Sequence, residues 1–139
     1  MTGEQATARP LGWWLKEADA RLDDAFDRTF AAVGRTRREW QVLSTLASGP
    51  TAAEDLVAAL SAFASEGEVA GMVDALTVRG EVAATDGTLR LTAAGGRTHA
   101  ELATLVADVR QRVSAALPQD DYVALVRLLA RLVDGLREP

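Results

Sequence analysis

The sequence predicts a mainly α fold (α+β) with one small β element, and three observations support this prediction. Apolar side chains recur at helical spacing over most of the chain. At three predicted helix starts Ser or Thr stands three positions before Glu, which is the pattern of a capping box. Asp86-Gly87 separates two short runs, 81–84 and 88–91, and this dipeptide is typical of a two-residue β-hairpin turn.

The first long helix is predicted over residues 11–33. Its apolar residues form one stripe, and Gly34 follows at the position where helices commonly end in a left-handed residue. The stripe comprises Leu11, Trp14, Leu15, Ala18, Leu22, Ala25, Phe26 and Val33.

Three short helices are predicted next, over residues 36–47, 52–62 and 66–79. The capping pairs that mark their starts are Thr36 with Glu39, Thr51 with Glu54, and Ser65 with Glu68. The face of the third helix that we expect to be buried carries Val69, Met72, Val73 and Leu76. The opposite face then carries Gly67, Gly71, Asp74 and Val78.

The predicted hairpin places Leu89 and Leu91 on one face of its second strand and Arg90 on the other. After it, Thr92 can cap a helix that runs to residue 116, and Pro118 separates that helix from a last one over 119–136. The last helix carries an apolar band wider than one neighbouring helix covers. This width indicates that part of the band meets another chain.

Length and composition bound the function. A chain of 139 residues fits a single domain, 1–139, and we expect its small, polar residues 1–9 to be disordered. No apolar run approaches the roughly 18 residues of a membrane span, and no signal peptide is evident, so we expect a cytoplasmic protein without membrane contact. The chain has no cysteine and one histidine, His99, and no catalytic, metal or cofactor motif is evident.

Together, these elements make a winged helix-turn-helix with a two-stranded wing and long flanking helices. In this order, over essentially its whole length, the sequence resembles the MarR family of bacterial transcription regulators. The segments that carry the resemblance are TRREWQVLSTLASGP, DALTVRGEVAATDGTLRLTAAGG and the Leu-rich C-terminus. WWLKEADARLDDAFDRTF is similar to the first helix of an actinobacterial branch of that family.

The resemblance implies a homodimer joined by long helices in 11–33 and 93–137, with a DNA-reading lobe in 36–92. The helix 66–79 would enter the major groove of double-stranded DNA at a pseudo-palindromic operator, and residues 81–91 would form the wing. It also implies a ligand-responsive repressor whose effector is a small aromatic molecule.

The charge of residues 51–90, the larger part of the reading lobe, departs from this picture. Residues 51–90 hold seven acids and two bases, so they carry the whole net charge of −5. The outer face of the helix 66–79 offers no Arg, Asn or Gln that could bond a base edge. A second reading therefore stands beside the first: a degenerate winged-helix protein that does not read DNA and binds a partner or a small molecule.

The candidate DNA-binding residues lie at three places: the start of the second helix, the third short helix and the hairpin. They are Arg35, Arg37, Arg38, Ser65, Glu68, Asp74, Thr85, Thr88 and Arg90. The three arginines before Glu39 either touch DNA phosphates or are surface charges at a helix start. Arg90 either enters a minor groove or is a solvent-facing strand residue.

Aromatic residues suggest a ligand cleft, for which the candidates are Trp13, Trp14 and Trp40. Trp13 lies on the side of its helix opposite the apolar stripe, so it faces either a dimer partner or a ligand. Trp14 and Trp40 also fit positions in the core.

Overall fold

In the computed structural model, which describes residues 3–138, seven helices and three short strands follow one another along the chain. They are α1 (Gly3–Thr7), α2 (Leu11–Ala31), α3 (Arg37–Ala47), β1 (Thr51–Ala52), α4 (Ala53–Ala59), α5 (Glu66–Val78), β2 (Val82–Thr85), β3 (Thr88–Leu91), α6 (Ala93–Ala116) and α7 (Gln119–Gly135). The predicted fold class, a winged helix-turn-helix between long helices, is confirmed.

The helix boundaries follow local capping chemistry where that chemistry is present. Ser65 and Glu68 form a complete capping box at the start of α5, as predicted. Thr36 caps α3 through the Glu39 N–H, but the Glu39 carboxylate turns to Arg35 and does not close the box. Gly34 has a φ of 70°, so the predicted left-handed residue after α2 is confirmed, although α2 ends at Ala31.

The third predicted box, on Thr51, is wrong. Thr51 belongs to β1, where its backbone pairs with Leu89 of β3, and its hydroxyl donates to the Gly49 carbonyl. Helix α4 therefore starts at Ala53 without a side-chain cap and ends at Ala59, three residues before the predicted end. Pairing with a strand far along the chain overrides the local capping pattern.

The sheet has three antiparallel strands in the order β1-β3-β2. Asp86 and Gly87 both have positive φ, 52° and 77°, as a type I′ turn in the predicted two-residue hairpin requires. Val82 pairs with Leu91, so β2 starts one residue later than predicted. Leu89 is buried and Arg90 is exposed, in agreement with the predicted alternation.

One hydrophobic core lies beneath the sheet and the short helices, and α2 and α6 close it from the other side. Its buried members are Phe30, Val42, Leu43, Leu46, Leu56, Leu60, Val69, Leu76, Val82, Leu89, Leu102 and Val106. The core thus fixes α5 and the hairpin against the two long helices.

The last helix, α7, buries none of its residues within the chain. Its exposed apolar residues are Tyr122, Leu125, Val126, Leu128 and Val133, and Leu136 follows them. None of the helices in residues 3–138 is long and apolar enough to cross a membrane.

The N-terminal segment departs from the expected disorder. Residues 3–7 form α1, and the Trp14 indole N–H donates to the Ala6 carbonyl at 2.8 Å. This contact holds the segment against α2, which its polar composition did not indicate. Residues 1 and 2 of the predicted disordered stretch lie outside the described part of the chain.

Candidate DNA-binding surface and ligand clefts

The outer face of α5 is smooth and acidic. Val69 and Leu76 are buried, whereas Gly67, Gly71 and Asp74 are exposed, as predicted. A Cβ atom added to either glycine would meet no atom outside the adjacent helix backbone within 4 Å. No side chain on this face can bond a base edge in two places, so α5 can offer shape and close approach but little direct readout.

The surface charge of the lobe is less negative than its sequence indicates. Glu81 is only 3% exposed and pairs with Arg35, a residue outside 51–90. The exposed charges within 51–90 are then six acids against two bases, Arg79 and Arg90. Excess negative charge therefore remains on the surface of residues 51–90, and it weakens non-specific attraction to DNA.

The wing presents its polar side chains at its tip. Thr85 pairs with Thr88 across the hairpin, and the Arg90 guanidinium donates to the Thr85 hydroxyl at 2.9 Å. All three residues are exposed. Arg90 is therefore held along the outer side of the hairpin, with donors left over for a phosphate or a groove edge.

Arg35 does not lie where the sequence suggested. Its Nη1 and Nη2 atoms donate to the two carboxylate oxygens of Glu81 at 2.7 Å each, and Nη1 also donates to Glu39 at 2.9 Å. The Arg35 side chain is 13% exposed and that of Glu81 is 5% exposed. Arg35 is therefore neither a free surface charge nor open to a phosphate in this structure, because its guanidinium is bound to carboxylates inside the protein.

The two charges of this pair stabilise one another. Burial raises the pKa of the Glu81 carboxyl, but hydrogen bonds from Arg35 and Thr98 and the nearby positive charge outweigh it, and the pKa lies below its ordinary value. The hydrogen bond to Glu81 raises the pKa of Arg35.

Arg37 and Arg38 take different roles from each other. Arg37 forms an ion pair with Asp23 and lies over the Phe26 ring at 4.6 Å, so it ties α3 to α2 and is not the surface cation that was expected. Arg38 donates to Gln41 at 3.1 Å and lies 5.9 Å from the Phe63 ring centre. Within residues 3–138 Arg38 forms no ion pair shorter than 4 Å, so its charge is available to a phosphate.

Ser65 and Glu68 are engaged at the start of α5. Each side chain accepts the backbone N–H of the other residue at 3.2 Å. The hydrogen bonds from Ser65 lower the pKa of Glu68, which therefore stays ionised beside the reading face. Its negative charge would oppose a phosphate at this point.

Trp13 and Trp14 form one aromatic cluster with the N-terminal segment. Their rings meet edge to face with centroids 4.6 Å apart, and the Arg9 guanidinium lies 4.0 Å above the Trp13 ring. The cleft beside them has a volume of about 700 Å³ and reaches Glu17 and Arg21. This surface combines aromatic faces with cations.

Trp40 is not part of that cleft. Its ring stacks on His99 with centroids 4.9 Å apart and an angle of 3° between the planes, and it packs near Phe30. Phe30 follows Trp14 by 16 residues of the same helix, a rise of about 24 Å. Trp40 therefore takes the core position that the sequence also allowed, only Trp13 and Trp14 line the cleft, and His99 packs against Trp40.

A smaller cleft lies between α2, α6 and α7, and sequence reasoning missed it. It has a volume of about 310 Å³ and is lined by Leu22, Phe26, Arg110, Val113, Ser114, Leu117, Gln119 and Tyr122. The signal in the sequence was a polar Arg110 within the apolar band of a long helix. Apolar walls with one guanidinium and a few polar groups suit a small anionic or aromatic molecule. No group of His, Cys, Asp and Glu within residues 3–138 could hold a metal ion.

Solved structures with the same arrangement of helices and wing decide the fold family. The transcriptional repressor CouR, bound to p-coumaroyl-CoA, is 28% identical, with 96% of each chain covered and a TM-score of 0.78. BpsR of Bordetella bronchiseptica is 24% identical, covering 90% of this chain and 95% of that one, with a TM-score of 0.78. The reduced form of MarR from E. coli is 23% identical, with 89% and 93% covered and a TM-score of 0.74.

The chain has the MarR fold. These structural neighbours are MarR-family transcriptional regulators. No family model matches the sequence, and no curated protein matches it.

In this MarR fold, the structure separates the candidate DNA-binding residues into two groups. Thr85, Thr88 and Arg90 are exposed and Arg38 is half-buried, and all four keep donors to offer, whereas Arg35 and Arg37 are bound to carboxylates. Two residues that the sequence did not single out for binding are Phe63, exposed beneath Arg38, and Arg79 at the end of α5.

Proposed function

We propose that this chain is a homodimeric, MarR-like, DNA-binding transcription regulator, and that it acts as a ligand-responsive repressor and not as an enzyme. The observation that carries this proposal is the complete winged helix-turn-helix between long helices, which aligns with known regulators over 89–96% of the chain. One of them is a repressor bound to p-coumaroyl-CoA, and DNA binding by another is regulated by 6-hydroxynicotinic acid. The chain would act as a single domain in the cytoplasm, the compartment that contains the DNA it would regulate. The proposal includes the similarity of residues 13–30 to the first helix of an actinobacterial branch of the MarR family.

The uncovered apolar face of α7 supports the homodimer. Leu128 is 52% exposed and Val133 is 59% exposed. Leu11 of α2 and Leu128 of α7 line one groove on this face. A second copy would cover this face with its own α2, α6 and α7, that is, with the helices in 11–33 and 93–137. Two-fold symmetry would then place the two α5 helices about 34 Å apart, one turn of a pseudo-palindromic operator.

Light scattering tests the dimer. We expect the mass of two chains, and we expect Leu129→Glu with Leu132→Glu to give monomers or aggregates, because two carboxylates would be buried unpaired. Val78→Glu on α5, where the side chain is 89% exposed and lies outside α2, α6 and α7, is the control for an added carboxylate and should stay dimeric. A stable dimer of the Leu129 and Leu132 variant would place the interface elsewhere.

We propose that DNA is held mainly through Arg38, Arg79 and Arg90, with Ser65, Thr85 and Thr88 as polar contacts. Glu68 and Asp74 would face the groove and oppose binding by repulsion. Because the lobe is acidic, each cation contributes a larger share of the affinity than in a basic protein.

A mobility shift assay tests this with the DNA upstream of the chain's own gene. We expect a discrete complex at low salt, and Asp74→Asn should raise non-specific affinity because one repulsive charge is lost. Asp108→Asn, on the exposed side of α6, is the matched control, for which no change is expected. Failure of the protein to bind any genomic fragment would rule out the proposal.

The effector is proposed to be a small aromatic molecule. The cleft beside Trp13 and the cleft beside Arg110 are both suited to one. Trp13→Ala and Arg110→Leu distinguish them in a titration followed by tryptophan fluorescence, with dimerisation measured in parallel. Loss of the dimer in Trp13→Ala would mean that Trp13 faces the partner chain and not a ligand.

One observation favours a second candidate function. The exposed face of α5 carries Gly67, Gly71 and Asp74 and no base, which suits a module that has lost DNA reading and binds a partner or a small molecule. DNA binding that weakens steeply with salt would exclude this function, since the slope counts the phosphates contacted.

A further inference from the structure

A buried polar cluster lies where the reading lobe meets the long helices. We name it the joint, and it consists of Arg35, Glu39, Glu81 and Thr98. Arg35 binds Glu81 through two parallel hydrogen bonds of 2.7 Å and binds Glu39 through one of 2.9 Å. The Thr98 hydroxyl of α6 donates to the same Glu81 carboxylate.

The backbone on both sides of the joint is also fixed. The Arg35 N–H donates to the Phe30 carbonyl at the end of α2, at 3.0 Å. The Glu81 N–H donates to the Leu76 carbonyl of α5 at 2.9 Å, and the Glu81 carbonyl accepts from the Thr92 N–H at 3.1 Å. Glu81 is therefore the residue at which α5, the wing and α6 meet, and Arg35 connects it to α2.

An ion pair in this position is a directional constraint. Unpairing either charge inside the protein costs several kcal/mol, whereas apolar side chains of similar size would stabilise the fold about as well. Two parallel hydrogen bonds between a guanidinium and a carboxylate are satisfied in one relative orientation only. Apolar contacts would tolerate sliding and rotation of the lobe against the long helices.

We propose that the joint sets the position of α5 and the wing relative to α2 and α6, and that Arg35 and Glu81 are positioning residues for DNA binding. The inference rests on the proposed function, because it concerns the elements that would bind DNA. It assigns Arg35 a role that does not involve touching a phosphate.

The test replaces the ionic joint by an uncharged one, in the variant Arg35→Met, Glu39→Gln, Glu81→Met and Thr98→Val. We expect a melting temperature close to that of the native protein, since the buried charges are removed together. Affinity for the operator should fall about tenfold or more, while affinity for a random duplex should stay within about twofold, because phosphate contacts alone set non-specific binding. A phosphate contact by Arg35 would instead lower both affinities together.

An exposed ion pair gives the matched control. Arg28 and Asp24 form a pair on α2 with side chains 80% and 57% exposed. Arg28→Met with Asp24→Asn should change neither affinity. If the variant with the uncharged joint keeps native operator affinity, the joint is only a packing feature and the proposal is overturned.

A measurement without DNA separates this proposal from the proposed function, and it also serves if the variant with the uncharged joint does not fold. Glu81→Gln keeps the side-chain shape and leaves Arg35 paired with Glu39. Hydrogen exchange of residues 80–92 should then be several-fold faster than in the native protein, while exchange in residues 102–113 of α6 stays unchanged. If residues 80–92 exchange at the same rate in Glu81→Gln and in the native protein, the proposed role of the joint is overturned, whether or not the native protein binds DNA.

Discussion

Two adjacent glycines of α6 should respond in opposite ways to the same substitution. A Cβ atom on Gly95 would lie 2.0 Å from the Glu81 carbonyl oxygen and 3.0 Å from its carbon, whereas one on Gly96 would meet nothing within 4 Å. Both residues lie in the first turn of the helix, so the gain from replacing Gly by Ala is similar for both. The difference between the two variants therefore measures the contact of α6 with Glu81.

The magnitude follows from the geometry. A carbon normally approaches a carbonyl oxygen to about 3.3 Å, so Gly95→Ala must open the contact by about 1.3 Å. This movement breaks the hydrogen bond from the Thr92 N–H to Glu81, which contributes about 1 kcal/mol. Overpacking destabilises the protein by about 1–3 kcal/mol more, whereas the higher helix propensity of Ala stabilises it by about 1 kcal/mol. We expect Gly95→Ala to lower the free energy of unfolding by about 2 kcal/mol and Gly96→Ala to raise it by about 0.5–1 kcal/mol.

Urea denaturation followed by circular dichroism measures this difference, at one protomer concentration because dimerisation contributes to stability. The two midpoints should move in opposite directions, with a total difference of about 3 kcal/mol. If Gly95→Ala is as stable as Gly96→Ala, then α6 does not lie against Glu81 as described.

Three further predictions concern the start of α5, the joint and the wing. Ser65→Ala should lower the free energy of unfolding by about 1 kcal/mol through loss of the cap, and an unchanged urea midpoint would contradict the capping box. The pKa of Glu81 lies below its ordinary value of 4.5, so its contribution to stability is present above that value and is lost as the pH falls through the folded-state pKa. Urea midpoints measured from about pH 6 to pH 3 should fall less steeply in Glu81→Gln than in the native protein, and equal slopes would show that Glu81 contributes nothing. Arg90→Ala should weaken operator binding by about 1 kcal/mol or more if Arg90 reads a groove. If Arg90 touches only phosphate, the substitution should instead flatten the slope of log affinity against log salt by about one unit. Anisotropy titrations with operator DNA that are the same as for the native protein would show that the wing is not part of the DNA interface.

The parts of the fold that the sequence predicted are those governed by local chemistry. The cap on Ser65 and the turn at Asp86-Gly87 each depend on residues within three positions of one another, and both are present. Thr51 carried the same capping pattern but lies in β1, because its pairing partner Leu89 is 38 positions further along the chain. Local patterns contain no information about such a partner.

The same distinction explains the candidate site. Exposure of the α5 face and of Arg90 followed from helical and strand periodicity. Arg35 was expected at the surface because its partner, Glu81, is 46 positions away. Residue type alone allowed Trp40 either in the cleft or in the core, and it did not indicate that the Trp40 ring stacks on His99. Periodicity predicts which face of an element is buried, but it does not predict which charge or ring lies opposite.

The salt dependence of binding to the upstream DNA tests the central claim most directly. Fluorescence anisotropy would be recorded with the native protein and a labelled duplex between about 50 and 200 mM salt. Three available cations in each lobe, Arg38, Arg79 and Arg90, make at most about six phosphate contacts per dimer, so log affinity should fall with log salt at a slope between about −3 and −5. Absence of binding at the lowest salt, or a slope near zero, would contradict the account of this chain as a DNA-binding regulator.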